Sequence, residues 1–173
     1  MYIECWKFIN SFAPWFSALG SLSAVALSLY LALSGRKIYI NISSEIYEFD
    51  KGNDLLIIKI TNTGLRTVVI DDQSCIYFQI GRFKKKKCIG IGPSYIDIEK
   101  SSTFPCRLTE GETLNLIINI YNANGNWLHN FKKNNLINFP ISTLRIIVYP
   151  NASKPIKEKV GNSIINELKK NNS

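Results

Sequence analysis

The chain has 173 residues and a formal net charge of +8, with 21 Lys and Arg against 13 Asp and Glu. That length has room for one short anchoring segment and one ordinary domain, and for nothing larger. Glu4 cancels Lys7, so the whole excess of charge falls after residue 35 and favours anionic partners: acidic lipid headgroups, nucleic acid or an acidic protein. Cys5, Cys75, Cys88 and Cys106 form no C-x-x-C pair and no regular framework, which argues against a disulfide-stapled secreted scaffold and suits a reducing compartment.

Phe8 to Gly35 carries no charged residue. A bilayer core about 30 Å thick is crossed by about 20 apolar residues at ~1.5 Å each, and Pro14–Leu33 meets that length. Pro14 suits a first helical turn, with Ser11 upstream as a cap. Trp6, Phe8, Phe12, Trp15 and Phe16 crowd one boundary as an aromatic belt does, with Tyr30 and Tyr39 near the other. The expectation is a single membrane-spanning helix. A cleaved signal peptide would want a basic n-region, a shorter apolar core and a small-residue cleavage site, and 31–35 matches such a site poorly. A buried core helix would show a polar face. Arg36 and Lys37 outweigh the N-terminal flank, so the positive-inside bias places residues 36–173 in the cytoplasm, at the inner cell membrane.

After Arg36 the pattern changes to period two. Lys37–Ser43 puts Ile38, Ile40 and Ile42 on one face of a strand. Turn chemistry at 50–54 leads to a strand over Leu55–Thr61, then a tight Asn62-Thr63-Gly64 turn in which Gly64 is expected at positive φ. Thr67–Ile70 and Cys75–Ile80 read as one bulged strand or as two. A Gly/Pro/Ser-rich region runs from the basic stretch to Pro105, followed by a turn at 109–112 and a strand over Thr113–Tyr121. Trp127–Asn134 has helical spacing. Leu144–Tyr149 and Ile156–Val160 pair across a turn, and Ser163–Lys170 is an amphipathic helix with Ile164, Ile165 and Leu168 on one side. Short strands separated by turns predict an antiparallel β-sandwich over 36–173, with 1–35 as tail and transmembrane helix.

The run Asn62-Thr63-Gly64-Leu65-Arg66-Thr67-Val68-Val69-Ile70 resembles the N-x-G-x-x-x-V-x-I turn of bacterial immunoglobulin-like sandwiches. The order of apolar segment, basic boundary, this turn, Gly81-Arg82-Phe83-Lys84-Lys85 and then Pro105–Glu112 is similar to a broad set of small uncharacterised bacterial single-pass membrane proteins. The resemblance implies an immunoglobulin-like fold, a membrane location and no catalytic residue. It also implies a bulky aromatic in the strand before Gly81, a part that Tyr77 or Phe78 would play.

Two features stand out as candidate sites. The basic run Arg82, Phe83, Lys84, Lys85, Lys86 and Lys87 reads either as a solvated hairpin tip that protects a sheet edge or as a contact for anionic lipid or an acidic protein. Nucleic acid fits less well, because Phe83 is the one obvious stacking residue. Within the apolar helix, Ser17, Gly20, Ser21, Ala24 and Ser28 share a narrow stripe opposite Leu19, Leu22, Leu29 and Leu33. Such a stripe permits close helix approach and a homo-oligomer, while a lone helix with internally bonded serines is the plainer alternative.

His129 has no carboxylate at a supporting spacing, and with Cys75, Cys88 and Cys106 it lacks the close ligand pairs of a zinc site. Asp71-Asp72 and Glu110/Glu112 read as solvated corners. With no phosphate loop or nucleophile set, neither a cofactor nor catalysis is expected. The expected function is a membrane-anchored, non-enzymatic binding or adaptor module. The rival is an oligomerising, membrane-perturbing effector of antiviral defence or toxicity whose sandwich senses a signal.

Overall fold

The computed structural model describes residues 2–35, 37–48, 54–81, 86–122, 125–136, 139–151 and 153–170. The chain divides into two compact units, Met1–Lys37 and Ile38–Ser173.

The first unit is one helix, α1 (Tyr2–Ser34), within which Ser11–Ser34 is long and apolar enough to cross a membrane. At ~1.5 Å per residue those 24 residues reach about 36 Å, more than a bilayer core. The helix begins well before Pro14, so the expected start is corrected: Pro14 lies inside the helix and Ser11 does not stand at its end. A proline removes a single i→i−4 bond, here the one to the Asn10 carbonyl, and the residues on either side are good enough helix formers to continue through it.

The second unit runs β1 (Ile40–Tyr47), β2 (Leu55–Asn62), β3 (Val68–Ile70), β4 (Ile76–Ile80), β5 (Lys87–Gly90), β6 (Cys106–Leu108), β7 (Thr113–Asn119), β8 (Tyr121–Asn122), β9 (Gly125–Asn126), α2 (Trp127–Asn135), β10 (Arg145–Val148), β11 (Ile156–Lys159) and α3 (Asn162–Lys170). All pairing is antiparallel: one sheet is ordered β1-β2-β7, a second β11-β10-β4-β5, and β3-β6 and β8-β9 are ribbons. The two sheets are not closed onto each other, yet both feed one apolar core. Leu56, Ile58, Ile60, Leu114, Leu116 and Ile118 enter it from the first sheet, and Ile76, Phe78, Ile80, Ile146 and Val148 from the second. Phe78 stands at 5.5 Å from Trp127 and 5.4 Å from Phe131, ring centre to ring centre, which fixes α2 against β4.

Several strand boundaries differ from the sequence pattern for one reason: a strand extends as far as its partner. β1 is displaced from 37–43 to Ile40–Tyr47, because β2 ends at Asn62, opposite Ile40. Ile38 is left half-buried against the core. Val68–Ile70 and Ile76–Ile80 are two strands with different partners, separated by a 3-10 turn over Gln73–Cys75. β5 begins at Lys87 within the basic run and extends into the Gly/Pro/Ser-rich region after it, and the strand expected over Thr113–Tyr121 stops at Asn119.

Gly64 is the second correction. Positive φ belongs to Gly81, Gly111 and Gly125, and Gly64 does not share it. Gly64 is required by proximity instead, since a Cβ there would lie 3.2 Å from both the Tyr39 side chain and its backbone nitrogen. The turn is organised by Asn62, which is fully buried. Its Nδ2 donates to the carbonyls of Arg66 (2.8 Å) and Leu108 (2.9 Å), and its Oδ1 accepts from the Gly64 N–H (3.0 Å).

Side chains also seal two strand edges. Ser101 and Ser102 hydroxyls accept from Ile117 and Asn115 N–H groups at 2.9 and 3.0 Å along β7. On β1, Ser163 Oγ accepts from Ile46 N–H at 3.1 Å, and Ser44 Oγ accepts from Gly161 N–H at 2.9 Å. Gly161 sits so close that a Cβ built on it would fall 1.9 Å from the Ser44 carbonyl oxygen.

Candidate functional site

Of the basic run, Lys86 and Lys87 are exposed at the start of β5, while residues 82–85 lie outside the described residues. Gly81, at φ 92°, turns the chain out of β4, and its N–H is held by Thr143 Oγ1 at 3.2 Å.

Ser17, Gly20, Ser21, Ala24 and Ser28 are all exposed on α1. Two of the hydroxyls turn back onto their own helix: Ser21 Oγ donates to the Ser17 carbonyl (3.0 Å) and Ser28 Oγ to the Ala24 carbonyl (2.8 Å). Such back-bonding satisfies the hydroxyls locally and leaves the stripe small but not polar in function.

The residues weighed for chemistry serve the backbone. Asp72 Oδ1 accepts from Gln73 N–H (2.6 Å) and its Oδ2 from Ser74 Oγ (3.0 Å), capping the 3-10 turn. Glu112 Oε2 accepts from Thr109 N–H at 2.6 Å across the β6–β7 turn. His129 is exposed, and its N–H donates to the α2 cap Asn126 at 2.9 Å. Cys75, Cys88 and Cys106 are free, Cys88 being exposed. Burial, with the Glu112 carboxylate adding to it, pushes the Cys106 thiol above its ordinary pKa. Among the described residues no three His, Cys, Asp or Glu side chains gather as metal ligands. An open cavity of about 250 Å³ lies between Gln73, Ile96, Thr103 and Phe104.

One surface has more structure than its sequence pattern suggested. Register places Tyr77 of β4 beside Ile147 of β10, which faces Lys157 of β11; one row along, Gln79 lies beside Arg145, which faces Lys159. Across the other edge, Gln79 is opposite Cys88 of β5. The side chains confirm a shared outward face: Gln79 Nε2 donates to Cys88 Sγ (3.6 Å), and Lys157 Nζ donates to Gln79 Oε1 (3.4 Å). Tyr77 stacks on Tyr149 at 5.0 Å and 28°. Burial first, and then the hydrogen bond with Tyr149, raises the Tyr77 hydroxyl above its ordinary pKa. Ile147 is wholly covered although it points away from the core, so the face is a packed layer rather than a bare sheet. No carboxylate occupies an outward position of β4, β5, β10 or β11. The ion pairs among the described residues, Lys100–Asp97 and Lys170–Glu167, lie elsewhere. The alternation Ile156-Lys157-Glu158-Lys159 was the available signal for this face, and only the register shows which neighbours it joins.

No family model matches the chain, and neither does any curated protein or solved structure.

Proposed function

We propose that the protein is a single-pass membrane protein whose basic β unit, an immunoglobulin-like sandwich on the cytoplasmic side of the inner membrane, binds a partner without catalysing a reaction. The observation that carries this reading is the exposed apolar helix. Trp15, Phe16, Leu22 and Val25 are each at least 66% exposed along it, a surface that water would not leave bare and that lipid would cover. The fold reading is supported by antiparallel pairing throughout and by one core fed from two sheets. The binding reading is supported by an excess of cations in the second unit, while Asp72 and Glu112 are committed to turns.

Orientation is tested directly by Cys88, which is exposed. In a Cys5→Ser chain, a membrane-impermeant maleimide on intact cells should leave Cys88 unmodified until the cells are permeabilised. Modification in intact cells reverses the orientation, and release of the chain by alkaline carbonate removes the anchor. The effector alternative needs association through the small stripe. It predicts that Ala24→Ile lowers oligomerisation in a membrane two-hybrid assay while Leu22→Ile does not, and that the chain releases dye from liposomes. The internally bonded Ser21 and Ser28 favour the plain anchor.

A further inference from the structure

We propose that the outward face of β11-β10-β4-β5 docks on the anionic headgroups of the bilayer that α1 spans; this rests on the membrane reading above. Arg145, Lys157 and Lys159 project from adjoining rows of this face. Among the described residues no ion pair joins any of these three to a carboxylate. Glu158, exposed between Lys157 and Lys159, falls on the opposite register face beside Ile146, so the outward positions of β11 and β10 are cationic. The outward side of β1-β2-β7 is different in kind: Glu45, Tyr47 and Lys59 interact there, with the Tyr47 hydroxyl 3.3 Å from Glu45 Oε2 and 3.4 Å from Lys59 Nζ.

A further feature fits a lipid surface. Tyr77 and Tyr149 form a stacked pair on the cationic face, and tyrosine is a side chain suited to the headgroup layer, apolar in its ring and polar at its tip. Each cation near an anionic leaflet adds attraction, and several on one flat face act together. The chemistry recognised is phosphate and carboxylate of acidic phospholipid, not a base or a peptide sequence.

The test uses the full chain reconstituted in phosphatidylcholine bilayers with and without phosphatidylserine. An environment-sensitive dye is placed on Cys88, with the other cysteines changed to serine, or on Ser43→Cys of the opposite sheet face in a chain also lacking Cys88. The Cys88 dye should report a headgroup environment in the phosphatidylserine bilayer and an aqueous one in phosphatidylcholine. The Ser43→Cys dye should remain aqueous in both. Replacing Arg145, Lys157 and Lys159 together by serine should shift the docked-to-free ratio by roughly 100-fold towards free. A Cys88 signal indifferent to lipid charge, or one that survives the triple substitution, overturns the proposal. So does a Cys88 change produced by added RNA in phosphatidylcholine bilayers, which would assign the face to nucleic acid. Retention of the chain in alkaline carbonate is scored first, so a failed anchor is read separately from a failed docking face.

Discussion

Asn62 ties three backbone groups of the β unit together from one buried side chain. It reaches the Arg66 and Leu108 carbonyls and the Gly64 N–H with one side chain, in a place with no water to substitute. Asn62→Leu keeps the branched shape but removes the hydrogen-bonding atoms and strands those groups, so it should destabilise the unit by about 3 kcal/mol or more, read as a lowered midpoint in chemical denaturation. Gly64 nearby was legible as a turn residue from Asn62-Thr63-Gly64, but the reason it must be glycine was not. That reason is Tyr39, which the fold brings alongside and which no local pattern names. Cys106 gives a second prediction at this scale. Thiolate is the reactive form, so near the ordinary thiol pKa of about 8.5 the exposed Cys88 should be alkylated well before Cys106, as peptide mass spectrometry would show. Because the folded Cys106 pKa is raised, its contribution to stability is present below the ordinary value and is lost as pH climbs through the raised one.

At the scale of elements, the sequence was informative wherever burial alternated. β1, β2 and β7 have strict or near-strict alternation, and α3 buries Ile164 and Leu168 as its periodicity required. β5 and β6 escaped because Lys87-Cys88-Ile89-Gly90 and Cys106-Arg107-Leu108 carry little β-branched or aromatic character, and pairing with β4 and β3 is what makes them strands. The same limit hid the cationic sheet face: Arg145, Lys157 and Lys159 are scattered in the sequence and gathered only by register. The basic run was visible for the opposite reason, since its residues are consecutive. For α1, length and hydropathy were legible and the position of Pro14 was misleading, because a proline inside a helix and one at its start look alike until the upstream turns are seen.

In the molecule as a whole, a short connection joins two units of opposite solvent preference, one apolar and exposed, the other basic with its own core. Near the end of the β unit, Gly161 packs directly against Ser44 of β1. Gly161→Ala must drive the 158–163 segment off Ser44, and the expected loss is at least about 2 kcal/mol. Gly90→Ala, where nothing lies within 4 Å, is the matched control and should fall within about 0.5 kcal/mol of the parent in the same denaturation experiment.

The Ser44–Gly161 and Ile46–Ser163 bonds each close a separation of 117 residues. The strand synthesised earliest in the β unit is thus sealed by nearly the latest piece of it. Until residues 161–163 have been made, β1 can pair with β2 but keeps a row of bare N–H and C=O groups on its other side, a template for any passing strand. Folding of this unit should therefore finish slowly and late, and chains cut short anywhere between Tyr121 and Gly161 should aggregate through β1 rather than linger as soluble fragments.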